Sequence, residues 1–384
     1  MKKQTAVPLT SAQLGIWFAH KLDPFSSTYN IGEYIEISGP VAPALFEKAL
    51  QRVVIETESL CLRFIEGVDG PQQVLGITPE WSMLFVDVSG ENDPRTAAEA
   101  WMRSDLTQPI ELTRGPLFTY ALLKAASDRF YWYARYHHIV MDGYGMSLMA
   151  RRVAKVYTDI YYSKTSEIRP FGSLVTLLEA DKAYHCSDQI RHDQKYWFDQ
   201  LSEIPEPISL SNHPPSKCNT FLRQTYYLKR SSAQQLCGVA DQIGVTLPRL
   251  FIAATAILLH RLTGATNLIL SLPITARDTE SRCIPGMLSN VLPLRLAISP
   301  NATVAEVACN ADRNIREGLE HKNFRTADMR RHVDRVIGGP TMYGPVINIM
   351  RFDYDLTFAG NPGEVCNLSL GPVEDLSIVV RPRT

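Results

Sequence analysis

Nine residues, Arg129 to His137, most constrain what this chain can become. They read Arg-Phe-Tyr-Trp-Tyr-Ala-Arg-Tyr-His, and such a density of aromatic side chains suits a pleated, half-buried strand, where large flat groups pack against cross-strand neighbours. After His138-Ile-Val-Met comes Asp142-Gly143, a tight-turn pair, because glycine reaches backbone angles closed to other residues. Two histidines therefore stand at the end of a strand. If the segment stays extended, alternate side chains share a face, so Tyr136 and His138 lie on one side and Arg135 and His137 on the other. The two histidines cannot both line one cavity. One is left for chemistry and one for structure, with Asp142 as the charge that fixes the turn.

The flanking segments give that strand a setting. Thr10 and Gln13 stand at capping-box spacing ahead of a helix in which Leu14, Trp17 and Phe18 recur at helical intervals. Tyr29 to Ser38 alternates as a strand ended by Gly39-Pro40, and Pro43 to Glu56 is an amphipathic helix. Leu60 to Ile65 is a strand carrying Arg63 in apolar company. Residues 82–88 and 116–125 are strands around a helix from Thr96 to Asp105, and Met149, Val153, Val156 and Ile160 stripe a helix behind the turn. Helices packed on one mixed open sheet make an α/β (α+β) sandwich. The polar run from Ser163 to Ser173, with Pro170 and Gly172, marks a boundary, so residues 1–170 and 171–384 are expected as two units.

The second half repeats the grammar of the first. Charged helical sequence runs to Glu206, and Ser209 to Thr220, with Pro214-Pro215, has no periodicity. A strand at Thr225 to Leu228, helices at Ser231 to Ile243 and Leu247 to Leu262, and strands at Asn267 to Pro273 and Met287 to Ala297 follow. A helix at 303–320 and a strand at Val346 to Asp353 complete the series. Two halves of one design, side by side, place ligands at their junction.

Composition excludes several classes. A net charge of -1 over 384 residues argues against a generalised nucleic-acid binder, which needs a basic surface to neutralise phosphates. Seven scattered cysteines with no CxxC pair fit reduced, mostly buried thiols in a cytoplasm. Leu250 to Leu259, the most apolar run, is far short of the roughly 20 residues a membrane span needs. Adjacent histidines on opposite strand faces chelate a metal poorly. Neither a glycine-rich phosphate loop nor a GxSxG elbow is present, so no cofactor-binding or metal site is expected. What remains is a histidine acting as proton acceptor or hydrogen-bond partner, suited to moving an acyl unit onto an amine or hydroxyl. On the dipeptide alone, two histidines satisfied by backbone partners is the plainer reading.

The longer pattern shifts that balance. His137-His138-Ile-Val-Met-Asp142-Gly143 matches HHxxxDG, the signature of the condensation domains of non-ribosomal peptide synthetases and of the wider chloramphenicol acetyltransferase-like superfamily. Ser11-Ala-Gln13 with Ile16-Trp17 resembles that family's opening motif, and Leu60-Cys-Leu-Arg63-Phe64 its second. Met287-Leu-Ser-Asn290-Val-Leu292-Pro293 resembles its fifth, and Gly344-Pro-Val-Ile-Asn348 a late strand. Through Tyr131-Trp-Tyr133, Phe352-Asp-Tyr354 and Gly371-Pro-Val-Glu-Asp375-Leu, the chain looks nearest to the condensation domain of enterobactin synthase and to free-standing relatives with an aryl donor.

The resemblance implies two acetyltransferase-like subdomains in a V-shaped pseudo-dimer with a tunnel through their junction. Donor and acceptor carrier proteins dock at its mouths, each bringing a thioester on a phosphopantetheine arm, and an amide forms, as in siderophore-type biosynthesis. The chain itself binds no cofactor, nucleic acid or membrane. It is expected to be cytoplasmic, and monomeric or part of a larger synthetase. His138 carries over as the catalytic residue. His137 and Asp142 carry over as support, with Asp142 paired to Arg63 ahead of the competing Arg135; Gly143 leaves clearance for the arms. Tyr136, Ser147, Asn290 and Asn348 are candidates for the tunnel wall, although Ser147 also suits a helix start and the asparagines also suit strand-end turns. Trp17 is expected in the core. Arg313, Arg316, Arg325, Arg330, Arg331 and Arg335 suit either an acidic carrier protein or a solvated helix face. The chain ends at Val380-Arg-Pro-Arg-Thr384, short of the family's usual final strand and helix, so an incomplete C-terminal unit is expected. Two readings share the motif: a stand-alone acyl-CoA-dependent O- or N-acyltransferase, and a non-catalytic docking domain.

Overall fold

Thr10 starts the first helix as its sequence predicts. Between β1 (Thr5–Pro8) and α1 (Ser11–Leu22), the Thr10 hydroxyl accepts the Gln13 N–H at 3.4 Å, and the Gln13 side chain accepts the Thr10 N–H at 2.9 Å. Trp17 goes into the core and Phe18 stays exposed, so the apolar stripe is narrower than the sequence suggests. β2 (Asn30–Ser38) and α2 (Pro43–Glu56) follow at the expected places. Proline is tolerated at the head of α2 because the first turn's N–H groups have no intrahelical acceptor anyway. β3 (Arg63–Gly67) and β4 (Gly70–Leu75) form a hairpin, and β4 also pairs with β1. Next come β5 (Leu84–Asp87), α3 (Pro94–Leu106), β6 (Phe118–Ala126), β7 (Arg129–His137) and α4 (Gly143–Tyr161).

The computed structural model describes residues 5–165, 171–206, 208–210, 222–336, 344–350, 354–373 and 375–381. Pro170, most of the loop from Ser209 to Thr220 with its Cys218, Phe352-Asp353, the Arg335 side chain and residues 382–384 lie outside them. The later part contains α5 (Leu174–His185), α6 (Gln189–Gln200), α7 (Arg230–Ile243), α8 (Leu247–Thr263), β8 (Asn267–Ile274) and β9 (Asn290–Ala297). It continues through α9 (Val304–Glu320), α10 (Thr326–Val336), β10 (Val346–Ile349), β11 (Leu356–Phe358), β12 (Asn361–Leu370) and β13 (Ser377–Val380). Among the described residues no single helix is long and apolar enough to cross a membrane; α7 and α8 meet at 92°, and Ile252, Ala253 and Ala256 of α8 are buried in the later half's core.

The described residues form three sheets. The central one has six strands in the order β11-β12-β2-β7-β6-β5, antiparallel except for the parallel pair β5 and β6. Phe46, Trp132 and Tyr157 pack on one face of it, while Tyr34, Tyr131, Tyr133, Ala98 and Met102 pack on the other against α3. A four-stranded sheet, β13-β10-β8-β9, carries the core of the later half, and β1-β4-β3 forms a small third sheet. The mixed α/β sandwich expected from the element order is the architecture observed.

Three expectations need correction. The sequence reading gave each half its own sheet, yet β11 and β12, from residues 356–370, join the first half's sheet, with β12 antiparallel to β2 from Gly363 opposite Ile37 to Leu370 opposite Ile31. The contiguous division at 170 and 171 does not describe which strands pair. Pro362 sits at the hairpin's end, in register with Thr357, where a missing N–H costs little. Thr225 to Leu228 builds no ladder: Tyr226 and Tyr227 are exposed, and aromatic propensity without a partner strand does not make a sheet. The thiols also differ from expectation, since Cys186, Cys237, Cys283 and Cys309 are exposed.

Phe358 of β11 is wholly buried, with ring centroids 5.8 Å from Phe46 and 6.1 Å from Trp132. Phe358→Ala should therefore lower the free energy of unfolding by about 3–5 kcal/mol. Urea denaturation followed by tryptophan fluorescence checks this, and a loss below about 1 kcal/mol would show that the hairpin only decorates the sheet.

Candidate active site

β7 delivers both histidines by ending between them: His137 is its last residue and His138 opens the turn. The His138 N–H is fixed to the Tyr29 carbonyl at 2.8 Å, and the turn is held from the opposite side by the Gln13 amide, which donates to the Ile139 carbonyl at 3.4 Å. Gln13 is itself clamped by Gln73 and by the capping box, so the start of α1 braces this corner.

The two imidazoles have different surroundings. His138 Nδ1 lies 2.8 Å from the Met141 carbonyl. A carbonyl only accepts, so Nδ1 carries the proton and Nε2 of the neutral ring is a base with its lone pair available. Burial pushes the His138 pKa below that of a free histidine, and the nearby Asp142 charge opposes the push. His137 is buried, with Nδ1 accepting the Ile139 N–H at 3.2 Å and its ring edge-on to His20 at 5.1 Å between centroids. Burial first, then the neighbouring His20 and His138, holds His137 well below the usual range, so it is a neutral packing group at any physiological pH.

Asp142 is the N-cap of α4 and has four donors on its two oxygens. Oδ1 accepts the Gly145 N–H at 2.8 Å; Oδ2 accepts Arg277 Nη1 at 2.7 Å and the Leu288 and Ser289 N–H groups at 3.0 Å each. The other guanidinium nitrogen, Nη2, donates to the Gly286 carbonyl at 3.2 Å, and the guanidinium lies 4.7 Å from the centre of the Tyr144 ring. Both charged side chains are 2% exposed. Gly145 is needed because α4 and the 286–289 segment approach so closely: a Cβ there would come 2.5 Å from Met141 Sδ and 3.1 Å from the Gly286 nitrogen.

Arg277 replaces both partners expected for Asp142. Arg63 is exposed on the small sheet, and Arg135 is committed elsewhere, 3.0 Å from the Asp105 carboxylate with Nη1 donating to the Asp105 and Gln108 carbonyls. The residues themselves show a charged Arg277-Asp278 pair three positions past the end of the apolar strand β8, but nothing local tied it to Asp142, 135 residues away.

Three wall candidates turn out to be buried in networks of their own. Tyr136 is 1% exposed and takes the Tyr120 hydroxyl proton at 3.0 Å. Ser147 is wholly buried, its hydroxyl donating to the Tyr144 carbonyl one helical turn back. The Asn290 amide spans Lys322, Phe324 and Thr326, tying β9 to the start of α10. Asn348 is half-buried on β10, in register with Val379, and Gly143 is the first residue of α4. Of the arginines, Arg313, Arg316 and Arg331 are exposed, whereas the Arg325 guanidinium is turned inward onto the Leu288 carbonyl at 3.0 Å.

A residue not singled out as part of the site borders the His138 ring. Gly371, just past β12, has φ +101°, and a Cβ on it would stand 3.1 Å from His138 Cδ2 and 3.7 Å from Nε2. Glycine here satisfies the backbone and keeps the imidazole edge uncovered.

The family model of the condensation domain matches residues 3–349. A dimodular nonribosomal peptide synthase of Bacillus subtilis (strain 168) is 43% identical over 383 residues, covering 100% of this chain and 16% of that protein. Enterobactin synthase component F of Escherichia coli (strain K12) is 29% identical over 383 residues, covering 98% and 29% respectively. The chain thus spans less than a third of either relative, and the dimodular synthase is the nearer of the two. A variant of the starter condensation domain of rhizomide synthetase, solved in complex with C8-CoA, superimposes with a TM-score of 0.92 at 41% identity, over 98% of this chain and 86% of that one.

Removing Arg277 leaves the Asp142 carboxylate buried without its counter-charge, so Arg277→Met should cost about 3–5 kcal/mol in chemical denaturation. The double variant Asp142→Asn with Arg277→Met should recover part of that loss, while Arg63→Ala should leave the midpoint where it is. A large effect of Arg63→Ala would contradict the assigned pairing. A second expectation concerns pH. The folded pKa values of His20 and His137 are lowered, so below about 6.5 the unfolded chain takes up protons that the folded one refuses, and stability falls with pH. His137→Leu should flatten this fall between about pH 6.5 and 5, as read by thermal unfolding at stepped pH.

Proposed function

The chain belongs to the condensation-domain family of non-ribosomal peptide synthetases, and from that membership we propose that it joins a carrier-bound acyl, aryl or aminoacyl thioester to the amine of a carrier-bound aminoacyl acceptor. Condensation domains are amide-forming acyltransferases. The observation that carries the reading to this chain is the His138 ring, locked by Nδ1 onto the Met141 carbonyl with its basic Nε2 edge facing a residue that has no side chain.

The acceptor nitrogen attacks the thioester carbonyl carbon; the C–N bond forms, the C–S bond breaks, and the nitrogen's proton passes to His138 Nε2 and from there to the departing thiolate. Freeing the amine beforehand is cheap. An α-amino group has a pKa of about 7.7–8, so deprotonation near pH 7 costs on the order of 1 kcal/mol. The lowered His138 pKa keeps the ring neutral and able to take the proton once the nitrogen has bonded to carbon, a step typically worth about 10² to 10⁴ in rate. Holding two tethered reactants together supplies more, about 7–11 kcal/mol. In this reading Asp142 and His137 are scaffold, and Gly143 and Gly371 leave clearance for the phosphopantetheine arms, which arrive on donor and acceptor carrier proteins or domains. Siderophore-type assembly and a cytoplasmic location belong to the same reading, as does a junction of two acetyltransferase-like units as the place where the arms meet.

One observation favours a second reading. The rhizomide relative was solved with an acyl-CoA, so the donor here is alternatively a soluble acyl-CoA. Intact-protein mass spectrometry of both carriers after incubation with this chain separates the two, because only the first reading consumes a carrier-bound donor. His138→Ala should lower single-turnover amide formation by about 10² to 10⁴ without abolishing it. A rate near that of the wild type would remove His138 from the chemistry.

A further inference from the structure

The turn that carries His138 is short and almost sealed. Ile139, Val140 and Met141 are wholly buried, so its peptide groups have to find partners inside the protein. Most of these come from the motif itself: the Val140 N–H donates to the His137 carbonyl at 3.1 Å, the Ile139 N–H to His137 Nδ1 at 3.2 Å, and His138 Nδ1 to the Met141 carbonyl at 2.8 Å. The Tyr29 carbonyl takes the His138 N–H, backbone to backbone. Among the described residues, one side chain from outside the motif bonds to the backbone of residues 138–141. It is Gln13, whose Nε2 donates to the Ile139 carbonyl at 3.4 Å.

The orientation of that amide is not free. Gln13 Oε1 accepts the Thr10 N–H at 2.9 Å, and an N–H only donates, so the oxygen faces Thr10 and the nitrogen faces the turn. Gln73 of β4, 2% exposed, completes the arrangement. Its Nε2 donates to Gln13 Oε1 at 2.9 Å and to the Pro8 carbonyl at 3.0 Å, while its Oε1 accepts Gln13 Nε2 at 3.0 Å. Groups from β1, α1 and β4 thus hold one donor against one carbonyl. Without it the Ile139 carbonyl would be buried with no donor, and a turned peptide is the way to find another. The Met141 carbonyl lies two peptides further along the same turn, and it keeps the proton on His138 Nδ1 and off Nε2.

We propose that Gln13 is a positioning residue of the reaction: by holding the Ile139 carbonyl it fixes the turn, and so keeps His138 in the tautomer whose Nε2 can accept a proton. This rests on the reading of His138 as the base. Packing alone gives no reason for an amide here, since a methionine fills a similar volume and brings no buried polar group to satisfy. What the methionine lacks is the N–H. If the peptide turns, the Nδ1 proton loses its acceptor, and a ring protonated at Nε2 presents a donor where the attacking amine needs a base. Gln13 is 5% exposed, so the loss falls on the chemical step and not on the grip on either carrier.

The test reads single-turnover amide formation on one aminoacyl-loaded acceptor carrier, using whichever of octanoyl-, benzoyl- and glycyl-loaded donor carriers the wild type uses fastest. In parallel, long-range proton–nitrogen NMR spectra of the chain with isotope-labelled histidine report which nitrogen of His138 holds the proton, His138→Ala assigning the signals. Gln13→Met and Gln13→Glu should lower the rate about tenfold to a hundredfold, part of the roughly 10² to 10⁴ that a general base is worth, with the carrier concentrations for half-maximal rate unchanged. The glutamate keeps the shape and the acceptor for Thr10 but, ionised, has no N–H to offer. In both variants the His138 signals should move from the Nδ1–H pattern toward the Nε2–H pattern. Leu259→Ala, in the later half's core, should lower the thermal midpoint and change neither readout. Folded Gln13 variants with the wild-type rate, or with a slowed rate and an unchanged His138 tautomer, overturn the assignment while leaving amide formation standing. So does an equal loss of rate in Leu259→Ala, which would trace the effect to stability. A wild-type His138 that carries its proton on Nε2 overturns it even if no Gln13 variant folds, and no amide from the wild type with any of the three donors overturns the reading on which it rests.

Discussion

The Asp142–Arg277 pair is the contact on which the arrangement of the candidate site depends. A buried ion pair is in general a poor source of stability, because removing two charges from water costs several kcal/mol per ion. Here the carboxylate accepts four hydrogen bonds, one on Oδ1 and three on Oδ2, and three of the four donors are backbone N–H groups. That saturation offsets the desolvation and converts one side chain into a junction: the start of α4, the segment after β8 and the segment before β9 all meet on it. Since α4 begins one residue later, the direction of the helix behind the histidines is set by a contact to the other half of the chain.

The unequal histidines follow from the same corner. Both rings are held mainly in the neutral form by burial, but they differ in what their second nitrogen meets. His137 Nε2 is enclosed with no hydrogen-bond partner among the described residues, a cost borne by packing against His20 and Tyr29. His138 gives its Nδ1 proton to a carbonyl three residues on and turns Nε2 toward Gly371. One ring is used as volume and the other as a base, and the difference is made by a turn of four residues.

How much of this was legible beforehand depended on the range of the cause. Local causes could be read: the Thr10–Gln13 box, the proline-headed α2, the aromatic β7 and the HHxxxDG turn appear where the residues alone put them. Signals that need a distant partner could not. Arg277 looks like any charged residue at a strand's end until the chain brings it to Asp142, and Arg63 was preferred because it stood in a recognisable motif. Asn290 and Ser147 each had a local alternative to the wall, a strand-end turn and a helix start, and backbone carbonyls do use both side chains. Glu33 was placed by its parity, since alternation along the strand puts it on the same face as Ile31, Ile35 and Ile37, and it is buried with them. β12 was hidden by its own first residues, a proline and a glycine that mark breaks everywhere except at a hairpin's end.

The excursion of β11 and β12 into the first half's sheet matters for anyone recombining such proteins. Exchanging the two halves between relatives at residue 170 would pair β2 of one parent with β12 of the other, so the side chains meeting across that ladder would come from sequences never fitted to each other. A graft that respects the strand pairing has to carry residues 356–370 together with the first half, although they are encoded in the second. The heritable unit of this architecture is therefore discontinuous, and Gly371, at the return crossing, marks one of its seams.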